Sequence, residues 1–126
     1  MGKSLDELAS YFRPLAERLI KAAAAADIVV TIVSTGRTPA EQEDCLRRGT
    51  SWTRRSKHLA QPPENKSEAI DICPKELIGT KMWSPASGLW DTLGAIGKGL
   101  GLRWGGDWAA PKTDKPHFEY IHSVAI

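Results

Sequence analysis

The chain has 126 residues, 41% of them hydrophobic and 25% charged, with a formal net charge of +2. That length suits one domain with a real core, and the charge argues against nucleic acid as a partner while suiting an anionic polymer. No run approaches the roughly 20 apolar residues needed to cross a bilayer, and Met1-Gly-Lys-Ser-Leu-Asp-Glu-Leu8 lacks the apolar stretch of a signal peptide. A monomer made in the cytoplasm, leaving it by some other route, is the expectation.

In chain order, Ser4 to Ala26 reads as one long helix, with Ser4 as cap and Glu7 completing a capping box. Leu5, Leu8, Tyr11, Phe12, Leu15, Leu19, Ala22 and Ala23 recur at helical spacing and mark its apolar face, while Pro14 introduces a kink or a break. Ile28-Val-Val-Thr-Ile-Val33 is almost continuously β-branched and reads as a buried strand. Thr38 then caps a second helix, with Pro39 at its first position and Glu41 at its third, ending near Gly49. Arg47, Arg48, Arg54, Arg55 and Lys57 form a basic stretch that reads as a solvated helix end in preference to a binding patch.

Thr50 to Lys66 is polar, proline-bearing and aperiodic, a long loop. Glu68-Ala-Ile-Asp-Ile72 returns as a strand stopped by Pro74, and Pro85 to about Leu100 reads as a glycine-weakened helix. Leu102-Arg-Trp104 and His117-Phe-Glu-Tyr-Ile121 are the last strands. The fold class is α+β, a small antiparallel sheet with helices packed on it. Cys45 and Cys73 do not form a Cys-x-x-Cys pair, and a disulfide between them is not expected without an export signal. Cys73, on the face of Asp71, reads as a buried small apolar residue in preference to a neighbour of the metal.

The chemistry-bearing residues converge on a metal. His58 opens an irregular loop, and His117 follows Pro116 at the start of a strand, whereas His122 reads as structural. Asp71 interrupts an apolar strand: it is either turned to solvent by alternation or held by a partner or a metal. Asp114 stands three residues before His117, so a tight turn would face both into one cavity. Two histidines and a carboxylate can hold one divalent ion with a fourth position open, and a second carboxylate can take a proton from water there. Trp104-Gly-Gly-Asp-Trp108 offers backbone freedom and flat apolar walls, with at least one indole expected in the core. Arg37 closes the first strand, where a guanidinium can clamp a carboxylate or an oxyanion.

Together these segments resemble the M15 family of zinc peptidases, the D-alanyl-D-alanine carboxypeptidase and VanY-like group, and within it the phage endolysins that are L-alanyl-D-glutamate endopeptidases. The resemblance rests on Ser56-Lys-His58 with Ala69-Ile-Asp71, Trp104 to Trp108, Asp114 to Glu119, and Ser34-Thr-Gly-Arg37 with Gln42. A single catalytic domain over residues 1–126 is expected, since the sequence shows no separate wall-binding domain. The resemblance implies an M15/Hedgehog-like fold. It implies one zinc ion on His58, Asp71 and His117, Asp114 as general base, and Arg37 as polarising or substrate-binding group. Gln42, Ser51, Ser56, Trp104 and Trp108 would belong to the substrate cleft. The implied reaction is hydrolysis of peptidoglycan stem peptides at L-Ala-D-Glu, acting at the cell wall. The alternatives are D-Ala-D-Ala carboxypeptidase or dipeptidase cleavage, and a non-catalytic zinc-stabilised binding module. One departure stands out: twelve residues, Leu59 to Ile70, separate His58 from Asp71, where the family usually has six. The extra length is expected beside the cleft, altering specificity.

Overall fold

A computed structural model describes residues 2–51, 53, 55–78 and 88–122. Three helices, α1 (Arg13–Ala25), α2 (Pro39–Arg47) and α3 (Gly88–Gly99), accompany four strands, β1 (Val30–Ser34), β2 (Ala69–Pro74), β3 (Arg103–Trp104) and β4 (His117–Glu119). The strands form one antiparallel sheet in the order β1-β2-β4-β3. This is the α+β class that the sequence predicts.

The first helix is shorter than expected. Ser4 caps only a 3-10 turn, Leu5–Glu7, accepting from the Asp6 amide, and α1 begins at Arg13 with Pro14 in its first turn. Proline fits that turn because its missing N–H would have had no helical partner. Glu7 forms no box with Ser4; its carboxylate accepts instead from Thr35 Oγ1 at 2.6 Å and the Gly36 amide at 2.9 Å. By contrast, Thr38 and Glu41 make the full reciprocal capping box that starts α2. The first strand also differs. It is an edge strand with half-buried residues, and Val29 just before it is exposed, because no described strand pairs its outer side.

The core lies between the sheet and α1 and α3. Phe12, Leu19, Ile70, Ile72, Trp90, Leu93 and Phe118 are fully buried there. Two of the α3 glycines prove to be packing devices. A Cβ on Gly94 would lie 2.4 Å from the Trp104 ring, and one on Gly97 would lie 2.4 Å from the Phe118 ring. Residues 85–87 of the expected third helix lie outside the described residues.

The extra length after His58 does not wall the cleft, whose lining takes from the long loop only residues up to His58. Its Gln61–Lys66 bridge folds back onto the N-terminal segment, where Glu64 accepts from the Ser10 amide at 2.7 Å and Lys66 Nζ donates to the Asp6 carbonyl at 3.1 Å. The extra length between His58 and Asp71 thus braces the chain's start. Glu64 and Lys66 find their partners there.

A test of the packing follows from opposing signs. Alanine for glycine inside a helix ordinarily gains about 1 kcal/mol. Gly94→Ala and Gly97→Ala should instead lose about 1–3 kcal/mol by overpacking. Gly99→Ala, with nothing within 4 Å of its added Cβ, should be neutral or stabilising in urea denaturation.

Candidate metal centre

The register of the sheet creates the site. Asp71 of β2 pairs directly with His117 of β4, while the next pair, Ile70 and Phe118, points into the core. Strand alternation then sends Asp71 and His117 to the opposite face. They face a cavity of about 690 Å³ that His58, Asp114, Arg37 and Trp108 also line. A bulge in β1, between Ile32 and Ser34, reshapes the rim where Val33 and Ser34 reach the cavity.

The hydrogen bonds settle which nitrogens face the centre. His58 Nδ1 lies 2.6 Å from the Thr35 carbonyl, which can only accept, so this nitrogen carries the proton and Nε2 presents its lone pair. His117 Nε2 lies 2.7 Å from Glu119 Oε1, which leaves Nδ1 as the inward nitrogen of the neutral ring. Asp71 Oδ1 sits 3.1 Å from His58 Nε2 and 3.2 Å from His117 Nδ1. The three ligand atoms all fall within 4.8 Å of one another. Among the described residues, His58 Nε2 is the buried side-chain nitrogen or oxygen that has no hydrogen-bond partner.

Lone pairs converging on a carboxylate in a buried place repel unless a proton or a cation stands between them. The donor set, imidazole, imidazole and carboxylate, is what zinc takes. Each imidazole is also oriented by an acceptor on its far nitrogen, as metal-binding histidines are. The residues fit a zinc ion.

Electrostatics follow the same geometry. Burial raises the proton affinity of Asp71, but the two imidazoles outweigh it and hold the carboxyl well below the usual range. Burial works against a charged His117, yet the hydrogen bonds to Asp71 and Glu119 win and push its pKa up to about 10. In this way a proton can take the cation's place, and a bound cation would expel it. Asp114 moves the other way: burial, then the charge of Asp71, push it up to about 6, against the pull of His117, His58 and Arg37.

Asp114 is placed by backbone. Its amide donates to the Gly105 carbonyl at 2.9 Å, and its carbonyl accepts from the His117 amide at 3.2 Å. That tight turn sets Asp114 Oδ2 4.0 Å from His117 Nδ1. The paired glycines serve this turn, and neither has positive φ. A Cβ on Gly105 would lie 2.3 Å from the Asp114 carbonyl, and one on Gly106 would lie 2.2 Å from the Trp104 ring. The close approach is thus made by the protein's own atoms.

Other expected cleft residues divide. Ser51, Ser56 and Trp108 line the cavity, Trp108 with its ring 5.0 Å from that of His117. Trp104 does not line it: buried against Phe118, its indole donates to the Lys115 carbonyl at 2.7 Å. Gln42 is also buried behind the cavity wall, accepting from Arg37 Nη1 at 2.7 Å and donating to Ser51 Oγ at 2.8 Å and to the Thr53 carbonyl. It steadies Arg37, whose Nη2 is 4.0 Å from Asp71 Oδ2. Cys73 is buried and free, outside the ligand cluster. His122 bonds Glu68 at 2.8 Å, away from the cavity.

Sequence reasoning missed two supporting groups. Glu119 had a signal, since it stands two residues after His117 and so shares its face of β4. Thr35 had none, because it acts through its backbone carbonyl.

A family model described as D-alanyl-D-alanine carboxypeptidase, of the M15 peptidases, matches residues 49–120. The L-alanyl-D-glutamate peptidase of Listeria phage A118 is 28% identical over 117 residues, covering 93% of this chain and 39% of that protein. The chain thus spans about two fifths of that relative's length. The fold is similar to that of the Serratia marcescens L-Ala D-Glu endopeptidase ChiX, with a TM-score of 0.63 and 22% identity, covering 93% of this chain and 83% of that one. It is also similar to the vancomycin-resistance D,D-pentapeptidase VanY of a VanB-type cassette, solved with Zn(II), at a TM-score of 0.57 and 15% identity, over 91% and 73% of the two chains.

Gln42 offers a direct check of the supporting layer. Gln42→Ala removes three hydrogen bonds and should cost about 1–3 kcal/mol in urea denaturation, whereas Ser51→Ala, which removes one, should cost less.

Proposed function

Because the chain belongs to the M15 family of peptidases, we propose that His58, Asp71 and His117 hold one zinc ion in a peptidase active site. The substrate is a peptidoglycan stem peptide, cut between L-alanine and D-glutamate. The observation that carries the reading is the convergence of His58 Nε2, His117 Nδ1 and Asp71 Oδ1, with the far nitrogen of each imidazole already engaged. The choice of bond draws on the phage relative, which is named for that activity. Cleavage at D-Ala-D-Ala is the second reading, since the matched family model carries that description.

A zinc ion in this place would supply Lewis acidity, making a water acidic near neutral pH and polarising the scissile carbonyl. The protein's own residues do the rest. Asp114, half-buried beside His117, accepts the proton of the attacking water and returns it to the leaving amine. Arg37, held by Gln42 at the cavity wall, donates to the oxygen on which negative charge develops. Glu119 and the Thr35 carbonyl keep the imidazoles aimed while this happens. Trp108 provides a flat wall beside His117, against which a peptide backbone can lie. Peptidoglycan as substrate places the site of action at the cell wall.

Asp114→Ala should retain zinc, by metal analysis, while the turnover of purified muropeptides falls about 10²–10⁴-fold. His117→Ala should lose both metal and turnover, and chelation followed by zinc should abolish and then restore cleavage. Mass spectrometry of the products should give fragments ending at L-alanine; release of free D-alanine would overturn the bond assignment. Wall lysis undiminished in zinc-loaded Asp114→Ala would sink the mechanism.

A further inference from the structure

The cavity walls are more basic than the chain as a whole. Arg37, Arg48, Arg55, Lys57, Arg103 and Lys112 line the cavity, against Asp71, Asp114 and Glu119. That local excess of three positive charges exceeds the +2 of the entire chain. The basic stretch before His58, expected as a solvated helix end, supplies three of these residues, so it is part of the cleft wall.

The three acids have work of their own. Asp71 lies between the imidazoles, Glu119 accepts from His117, and Asp114 flanks the cluster. Glu119 also approaches Arg103 at 3.3 Å, Lys57 lies 3.6 Å from Glu68, and Arg48 lies 2.8 Å from Asp44. A metal ion would only add to the positive field.

The cations come from separate segments. Arg55 and Lys57 belong to the loop leading into His58, while Arg103 and Lys112 belong to β3 and the loop after Trp108. Two parts of the chain thus bring positive charge to one concave space that holds the cluster. Such a space concentrates the field on whatever binds in it. An uncharged peptide gains nothing from that field, whereas a peptide with carboxylates near its scissile bond is drawn in and oriented.

We propose that this cleft selects its substrate by charge: it takes stem peptides with free carboxylates on D-glutamate and the following residue, and discriminates against their carboxamide forms. Arg55 and Lys112, one from each of the two segments that bring positive charge to the cavity, are the specificity-determining residues. The inference deepens the peptidase reading above and rests on it for the identity of the peptide. A phosphate-rich wall polymer is the competing ligand. The peptide is favoured because these cations share a cavity with the reactive cluster, while a polymer bound for targeting needs no such proximity.

The test is the affinity of zinc-loaded Asp114→Ala protein for purified muropeptides in carboxylate and amidated forms, by calorimetry. Amidation should weaken binding about tenfold at low salt, and the ratio should shrink as salt rises. The added pair Arg55→Gln and Lys112→Gln should compress the ratio toward one while zinc content stays constant. Equal affinity for the two forms, or a ratio untouched by that pair, would overturn the proposal. So would equal muropeptide binding alongside tight, pair-sensitive binding of isolated teichoic acid, which would assign the cations to a wall polymer. Hydrolysis by the wild-type protein is read separately. Charge-selective binding without cleavage would uphold carboxylate recognition and overturn the peptidase reading.

Discussion

The antiparallel register between β2 and β4 is the constraint on which the rest of the structure depends. It places Asp71 opposite His117 and, one step along, Ile70 opposite Phe118. Because side chains alternate, burying Ile70 and Phe118 in the core turns Asp71 and His117 together to the other face. A slip of one residue would put a carboxylate in the core and an isoleucine in the cavity. Hydrophobic burial therefore holds the polar cluster in place, although it contributes no ligand to it.

The third member, His58, comes from irregular chain and needs other support. Its Nδ1 is held by the Thr35 carbonyl, its amide donates to Ser56 Oγ, and its carbonyl accepts from the Arg37 amide. Thr35 is itself gripped by Glu7, and the N-terminal segment that carries Glu7 is bonded to the long loop through Ser10 and Glu64. What looks in sequence like spare length is thus a brace behind a buried imidazole. This helps to offset the cost of gathering lone pairs in a buried place.

The glycine-tryptophan block joins core and cleft. Trp104 faces inward against Phe118 and covers Gly94 of α3, while Trp108 faces the cavity beside His117. The two glycines between them allow the 3-10 turn at Gly105–Asp107 to pass close under Asp114. One short segment therefore fixes the depth of the cleft and the position of its free carboxylate.

Local pattern was enough for much of this. The capping box at Thr38, the class of the fold and the strand around Asp71 were legible because each depends on spacing along the chain. The candidate cluster came instead from the family resemblance, pattern alone having left Asp71 between solvent and a partner. The long first helix was misread, since Glu7 finds a better partner in Thr35 and Gly36 than in its own turn. The buried first strand was misread as well, because β-branching marks a strand without showing whether it lies at an edge. Gln42 and Trp104 were placed in the cleft by motif, yet contacts from Arg37, Ser51 and Phe118 draw them behind it. The sequence by itself determined which residues are candidates for chemistry, for these are properties of side-chain type and order. Only the tertiary structure decided which nitrogen of each imidazole faces the centre and which basic residues wall the cleft. Those depend on partners far away in the chain, brought together by the burial of a shared core.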